Sequence, residues 1–263
     1  MLKLFTQHRY LLWQFTKRQI EQRHKGSFLG MLWTVIQPLT MMAIYTVVFG
    51  LIFKGSYKGI ENQSTLDYAL GIFLSLTIFQ MLADVVNTSP STILGQPNLV
   101  KKVVFPLEIL PVSNIAVALY QFGISLILTL IGVVTIGQGL SLHALLFVVA
   151  LLPLIPLALG VALLFSSLGV FLRDLQQLAG PLSMILMYAS AVFYSAQMVP
   201  ETMWIFIKFN PLLHIVEQAR ATLLWHQPMD WFWVGYSFVF GIVVLLLGLF
   251  SFKKLKPAFA DVI

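Results

Sequence analysis

Long apolar runs separated by short knots of charge and proline set the plan of this chain. The first run, 28–53, carries no charge between Lys25 and Lys54. The second, 68–93, is interrupted only by Asp84. From Ile109 to Leu172 no charge occurs at all. That stretch is too long for one helix and suits two, 109–136 and 144–172, with "GQGLSLH" (137–143) as the turn. Runs at 177–196 and 231–252 complete the set. Each approaches the roughly 20 apolar residues that a bilayer-crossing helix needs. The pattern predicts an all-α integral membrane protein of six transmembrane helices in one domain, 1–263, without visible internal repeats or linkers.

Two segments between the runs carry their own pattern. In 94–108, Lys101 and Lys102 sit side by side, fenced by Pro97, Pro106 and Pro111. Pro97 suits a first helical turn, where its missing N–H costs nothing. Leu99, Val100, Val103 and Val104 fall on one helical face and the lysines fall off it. Pro106 then stops the helix. The prediction is a short amphipathic helix, about 95–105, between spans two and three. The second segment, 197–230, is apolar but broken by Lys208, Asn210-Pro211, Glu217 and Arg220. Charges at mid-membrane cost roughly 2.5–3.5 kcal/mol each on insertion scales. A helical hairpin is therefore expected over about 200–226, with helices near 200–209 and 212–225. It dips into the membrane and returns, and backbone bending at that depth must be covered by protein or water. At the N-terminus, Leu4, Leu11 and Phe15 share a face with Phe5 and Leu12 beside it, and Lys17 and Arg18 point elsewhere. That is the pattern of a helix lying in the membrane plane over residues 1–24.

Charge then orients the chain. With the N-terminus cytoplasmic, the inside segments hold Lys3, Arg9, Lys17, Arg18, Arg23, Lys25, Lys101, Lys102, Arg173, Lys253, Lys254 and Lys256. The outside segments hold Lys54, Lys58, Lys208 and Arg220. The excess inside favours cytoplasmic N- and C-termini, and a seventh span would put "FKKLK" outside. Composition agrees. Only 10% of the 263 residues are charged and mean hydropathy is +0.88, against about 25% charged in soluble domains. The net charge of +6 reports the loops rather than a nucleic-acid partner. No cysteine is present, which removes disulfides and thiolate chemistry. The first apolar run starts too late and runs too long for a cleaved leader.

Four stretches, in order, carry a resemblance. They are "RHKGSFLGMLWTVIQP" (23–38, with Ser27, Leu29, Gly30, Leu32, Trp33 and Pro38), "NLVKKVVFPLEILP" (98–111), "FLRDL" (171–175) and "FNPLLHIVEQAR" (209–220). Together they resemble the membrane subunit of an ATP-binding cassette exporter that moves O-antigen, capsule or teichoic-acid polymers. The resemblance implies a homodimer in the bacterial cytoplasmic (inner) membrane, with two ATPase subunits beneath it and a polyprenyl-linked polysaccharide as cargo. It implies no cofactor in this chain, with ATP and Mg held by the partner. No G-x-x-x-x-G-K-[ST] phosphate loop occurs here. It makes Pro97, Asn98, Leu99, Val100, Lys101, Lys102, Val103, Val104 and Phe105 a coupling helix that docks into the ATPase, and Arg173 and Asp174 a second contact. The plain alternative for both is an interfacial anchor. The N-terminal helix is expected to touch the ATPase as well.

Polar side chains inside the spans are the candidate cargo contacts. On span five, Ser183, Met187, Ser190, Tyr194 and Gln197 form one stripe. Span one offers Trp33, Gln37, Thr40 and Tyr45. Hydroxyls and aromatic rings suit sugars, which present both hydroxyls and C–H faces. The resemblance implies that spans one and five line a channel at the dimer axis. On span two, Thr77, Gln80, Asp84, Thr88 and Ser91 recur at helical spacing. An intramembrane carboxylate hints at function, and interhelical hydrogen bonding is the plain alternative. Other classes fit less well. A membrane transferase needs clustered bases or metal ligands, and His8, His24, His143, His214 and His226 are scattered. A secondary transporter is argued against by the single embedded carboxylate and the lack of an inverted repeat. A drug or small-lipid exporter of the same superfamily remains open at this point.

Overall fold

The computed structural model describes residues 8–52, 55–57, 64–101, 105–137 and 139–263, with the His24 side chain excepted. Lys102, Val103 and Val104 of the expected coupling helix, and Leu4 and Phe5 of the N-terminal face, lie outside the described residues. Among the described residues every regular element is helical. Helix α1 spans Arg9–His24. A 3-10 turn, Gly30–Leu32, leads into α2 (Trp33–Tyr45), which continues as a π-helical segment, Thr46–Ile52. Helix α3 (Thr65–Thr88) ends in a 3-10 turn, Ser89–Ser91, and is followed by α4 (Pro97–Lys101), α5 (Ile109–Thr135), α6 (Ala144–Leu151) and α7 (Leu154–Phe171). Then come α8 (Leu175–Ala189), α9 (Glu201–Ile207), α10 (Pro211–Leu223), α11 (Trp231–Leu255) and α12 (Phe259–Val262).

Local chemistry fixes several boundaries. Ser64 and Asp67 cap α3 reciprocally: Ser64 Oγ accepts from Asp67 N–H at 3.0 Å, and Ser64 N–H donates to Asp67 Oδ2 at 3.2 Å. Asn210 Oδ1 accepts from Leu212 N–H with Pro211 at the first helical position, so α10 starts at the Asn-Pro step. Asp230 caps α11 in the same way.

Five helical stretches are long and apolar enough to cross a bilayer: Gly30–Ile52, Thr65–Ser91, Ile109–Thr135, Ala144–Phe171 and Trp231–Val262. The expected span 144–172 is interrupted around Leu152 and Pro153, where two turn residues separate α6 from α7. The expected span 177–196 departs more. Its helix, α8, has 15 residues and stops at Ala189. At 1.5 Å per residue it reaches about 22 Å, short of the roughly 30 Å of hydrocarbon.

The second stretch is the hub. Its window is 83% buried, against 6% for the first, so α3 is wrapped by its neighbours while α2 rides on the outside of the chain. Helices α7 and α11 pack closest. A Cβ built on Gly160 would lie 2.5 Å from the Leu245 backbone nitrogen, and one on Gly248 would strike the Gly160 carbonyl. Small residues let the two backbones meet, the packing mode that lipid solvent favours.

The bundle has two distinct ends. At one, Ile93, Leu107, Leu110, Leu163, Val170, Phe252 and Phe259 form an apolar cluster, with Phe15, Leu99, Val100, Phe105 and Ile263 packed on it. Helix α1, through Phe15, and the C-terminal residues Phe259 and Ile263 meet here; it is called the terminal end below. The other, the hairpin end, holds α9, α10 and the buried rings Tyr57 and Tyr68. Helices α9 and α10 fall where the sequence expects two short helices, with the break at Asn210-Pro211, and the pair is called the hairpin below.

Candidate translocation cavity and coupling surface

Spans one, two, three and α8 enclose a cavity of about 620 Å³. It draws Trp33, Gln37 and Tyr45 from span one, Thr77, Gln80 and Asp84 from span two, and Met187 from α8. Seven of the side chains singled out from sequence thus converge on one space. Gln121 and Ser125 of α5 complete the polar lining, and sequence reasoning missed both. Their four-residue spacing inside the charge-free stretch was the available signal. Met41 was missed too, although it continues the Trp33–Gln37 spacing into the cavity.

An ion pair forms part of the lining of this space. Arg23 Nη1 meets Asp84 Oδ2 at 3.2 Å, and Gln80 Nε2 donates to Asp84 Oδ1 at 3.2 Å. The carboxylate is therefore paired, by a residue 61 positions away at the end of α1. Tyr45, also in the lining, joins an aromatic group beside it. Phe193 stacks on Phe49 at 4.7 Å and meets Tyr45 at 5.3 Å between ring centroids. Phe49 belongs to the π-helical segment of span one.

The remaining path candidates lie elsewhere. Thr88 and Ser91 line a separate crevice of about 240 Å³ against Phe15, Arg18 and Gln22 of α1. The span-two stripe is thus divided, because α1 covers its last turn. Thr40 is exposed at the margin of α2 and returns its hydroxyl to Ile36 O. Ser183 accepts from Asn87 Nδ2 at 2.9 Å. Ser190 accepts from Asn210 Nδ2 at 2.9 Å. Tyr194 donates its hydroxyl to Tyr188 O. Gln197 is exposed.

The stretch after α8 explains its early stop. Ala191 has φ 51°, so the helix breaks there, and the freed carbonyls are taken up by side chains. Asn210 Nδ2 donates to Ala189 O at 3.0 Å, and Arg220 Nη1 to Ala191 O at 2.9 Å. Tyr57 and Tyr68 hydroxyls donate to Val192 O and Phe193 O at 3.1 and 2.9 Å. Arg220 Nη2 reaches Tyr194 O at 3.4 Å and Glu217 Oε1 at 2.8 Å, and Glu217 Oε1 also accepts from Ala196 N–H at 2.8 Å. Arg220 is 1% exposed and lies 4.3 Å from the Tyr57 ring centroid. Irregular backbone at such depth survives because protein satisfies it. This is the covering role expected of the hairpin.

At the terminal end the expected coupling residues divide by face. Leu99, Val100 and Phe105 pack on the chain's own apolar cluster, and Phe15 meets Phe105 at 5.2 Å. Pro97, Asn98 and Lys101 are exposed. Arg173 and Asp174 are exposed on the turn between α7 and α8, next to Phe171, whose ring meets Phe259 at 6.1 Å. Lys256 Nζ bridges Glu108 Oε1 at 2.7 Å. Helix α1 docks on α5, with Gln19 Nε2 donating to Ser113 Oγ at 3.2 Å, while Tyr10 and Trp13 stay exposed.

The ABC-2 type transporter profile matches residues 10–224, from the docked α1 through the hairpin. The chain belongs to the ABC-2 type transporter family. ABC-2 relatives resemble it along nearly its whole length. An O-antigen export system permease protein, RfbA, of Klebsiella pneumoniae is 27% identical over 258 residues, 96% of this chain and 95% of that protein. A polysialic acid transport protein, KpsM, of Escherichia coli is 24% identical, covering 92% of each. A capsule polysaccharide export inner-membrane protein, CtrC, of Neisseria meningitidis is 22% identical over 88% of this chain and 86% of its own length. Both the cavity and the hairpin lie inside the region shared with the ABC-2 family.

Proposed function

We propose that this chain is the permease subunit of an ATP-driven exporter that carries a surface polysaccharide, lipid-linked at one end, across the bacterial inner membrane. It works as a homodimer with two copies of a separate ATPase subunit, which holds ATP and Mg. The cavity carries this reading: amide and hydroxyl groups from three spans face aromatic rings across one space, the mixture that a sugar's hydroxyls and C–H faces require. The names of the near-full-length relatives support the polymer as cargo over a drug or small lipid.

Six crossings follow if α8 and the bracketed stretch after it together span the bilayer. Helix α1 and the C-terminal residues share one apolar cluster, which supports an even number of crossings between them, and the lysine excess places that end in the cytoplasm. Pro97, Asn98, Lys101, Arg173 and Asp174 then face the ATPase, while Leu99, Val100 and Phe105 transmit its motion to the bundle. The exposed apolar faces of α2 and α8 meet their counterparts across the dimer axis.

A strain lacking this chain tests the reading. Surface polymer disappears and returns with the wild-type gene; Trp33→Ala restores little of it while the ATPase still co-purifies. Lys101→Glu with Arg173→Glu loses the ATPase from the purified complex. Normal surface polymer in the strain lacking the chain refutes the proposal.

A further inference from the structure

Thr77 departs from a pattern that five other threonines of the bundle share. Thr40, Thr46, Thr88, Thr129 and Thr135 each donate the side-chain hydroxyl to the carbonyl four residues back, at 2.7–2.9 Å. A buried hydroxyl without a partner costs free energy, and this back-bond is the usual remedy. Thr77 is 5% exposed, lines the cavity, and its Oγ1 has no hydrogen-bond partner among the described residues. It sits one turn before Gln80 and two turns before Asp84 on the same wall. Across the space lie Gln121 and Ser125 of α5. Gln121 donates one amide N–H to Thr34 O at 3.0 Å, and its second N–H and its carbonyl oxygen are the groups it can offer to a ligand. Trp33 and Tyr45 supply flat apolar walls.

We propose that this cavity is a saccharide-recognition niche built within one subunit, which takes an uncharged sugar ring, with Thr77 as the residue that reads one of its hydroxyls. The inference rests on the export function proposed above. Every group named belongs to one chain. Three features fix the ligand class. The space lies in the range of small-molecule sites, about 300–1,000 Å³. Its two charges, Arg23 and Asp84, neutralise each other, so nothing in it selects an ion. Its polar groups alternate with rings, which suits a pyranose and not an acyl chain. A site that hydrogen-bonds a hydroxyl discriminates strongly against a ring that lacks or inverts it. The conduit therefore selects among polymers instead of passing any sugar chain.

The test uses the purified full-length chain in lipid nanodiscs. The probes are the methyl glycosides of glucose, galactose, mannose, rhamnose and N-acetylglucosamine. Binding is read by isothermal titration and by the change in tryptophan fluorescence, with Trp33→Phe as the control that removes the local reporter. The expected result is saturable binding of one or two glycosides and not the rest. Thr77→Val weakens that binding by about tenfold, the usual scale for one lost hydrogen bond at a site that leaves its partner unpaired. Thr77→Ser, which keeps the hydroxyl, retains it, and Thr135→Val, exposed and outside the cavity, leaves it unchanged. Thr77→Val is also expected to unfold no earlier than wild type, since it deletes an unpartnered hydroxyl. A merely structural threonine gives the opposite sign. Equal binding by wild type and Thr77→Val, no glycoside binding at all, or displacement by added alkyl chains instead of sugars overturns the niche. None of these touches the export reading, whose own test is surface polymer in cells.

Discussion

The two ends of the bundle are held by different kinds of force. At the hairpin end, six hydrogen bonds with the side chains of Asn210, Tyr57, Tyr68, Arg220 and Glu217 fix the backbone of 189–196. At the terminal end, rings and aliphatic side chains from four separate parts of the chain share an apolar cluster, with one ion pair at its rim. Directional bonds have one good geometry and fail when it changes. Apolar packing is non-directional and tolerates sliding. The hairpin end is therefore built to hold a shape, and the terminal end to absorb and pass on displacement. That division suits the exporter proposed above, in which the ATPase pushes on the terminal end.

Removing the guanidinium is the hardest blow to this contrast. Arg220→Ala strips donors from Ala191 and Tyr194 and leaves Glu217 without its partner. The expected cost is about 3–5 kcal/mol, as for breaking a buried pair, read as a large drop in unfolding temperature. Arg220→Lys does not restore it, because an ammonium cannot serve both carbonyls from one plane. Next comes Phe259, fully buried where the C-terminus meets α4 and α7. Phe259→Ala costs about 3 kcal/mol for the lost ring and cavity. Phe259→Leu costs no more than about 1.5 kcal/mol, since apolar packing readjusts to a near-equal volume. If Phe259→Leu proves as damaging as Arg220→Ala in thermal unfolding, the two ends do not differ in kind.

A smaller effect is expected at the rim. Lys256→Ala should cost at most about 1 kcal/mol, and less in high salt, because both partners of the ion pair are partly exposed. The mildest test uses acid. Burial pushes the His214 imidazole below its ordinary value of 6.5, against opposing pulls from the Lys208 carbonyl, Glu217 and Asp230. The folded hairpin thus prefers neutral histidine, and below pH 6.5 the unfolded chain binds the proton more readily. Stability from this group is full above that pH and fades as pH falls through the lower folded value. Amide exchange in 201–223, corrected for intrinsic rate, should quicken between pH 7.5 and 5.5, and exchange around Phe259 should not.

What sequence reveals about this molecule follows how local the cause is. Asn210-Pro211 announces a helix start through its own chemistry, and the apolar runs announce membrane helices through length alone. The early stop of α8 could not be read. Ser183 to Gln197 shows a continuous helical stripe, and the partners that unwind it, Tyr57, Tyr68 and Arg220, lie 26 to 135 residues away. Asp84 looked like an isolated carboxylate because Arg23 belongs to what reads as a separate helix lying in the membrane plane, 61 residues away. Leu99 and Val100 were legible as one face of a helix, but pattern cannot say whether that face looks toward a partner or toward home. Gln121 and Ser125 were legible and were passed over, since hydroxyls and amides in an apolar run are usually absorbed by helix packing.

The bracketed stretch after α8 also constrains how the protein is made. Donors for the carbonyls of 189, 191 and 194 come from Asn210 and Arg220, which leave the ribosome 21 to 29 residues later. Until then that stretch has no means of resting in hydrocarbon. Insertion of α8 must wait in a wet or chaperoned place for the hairpin to be synthesised. The two are one unit of biogenesis, though they are separate helices in the finished fold.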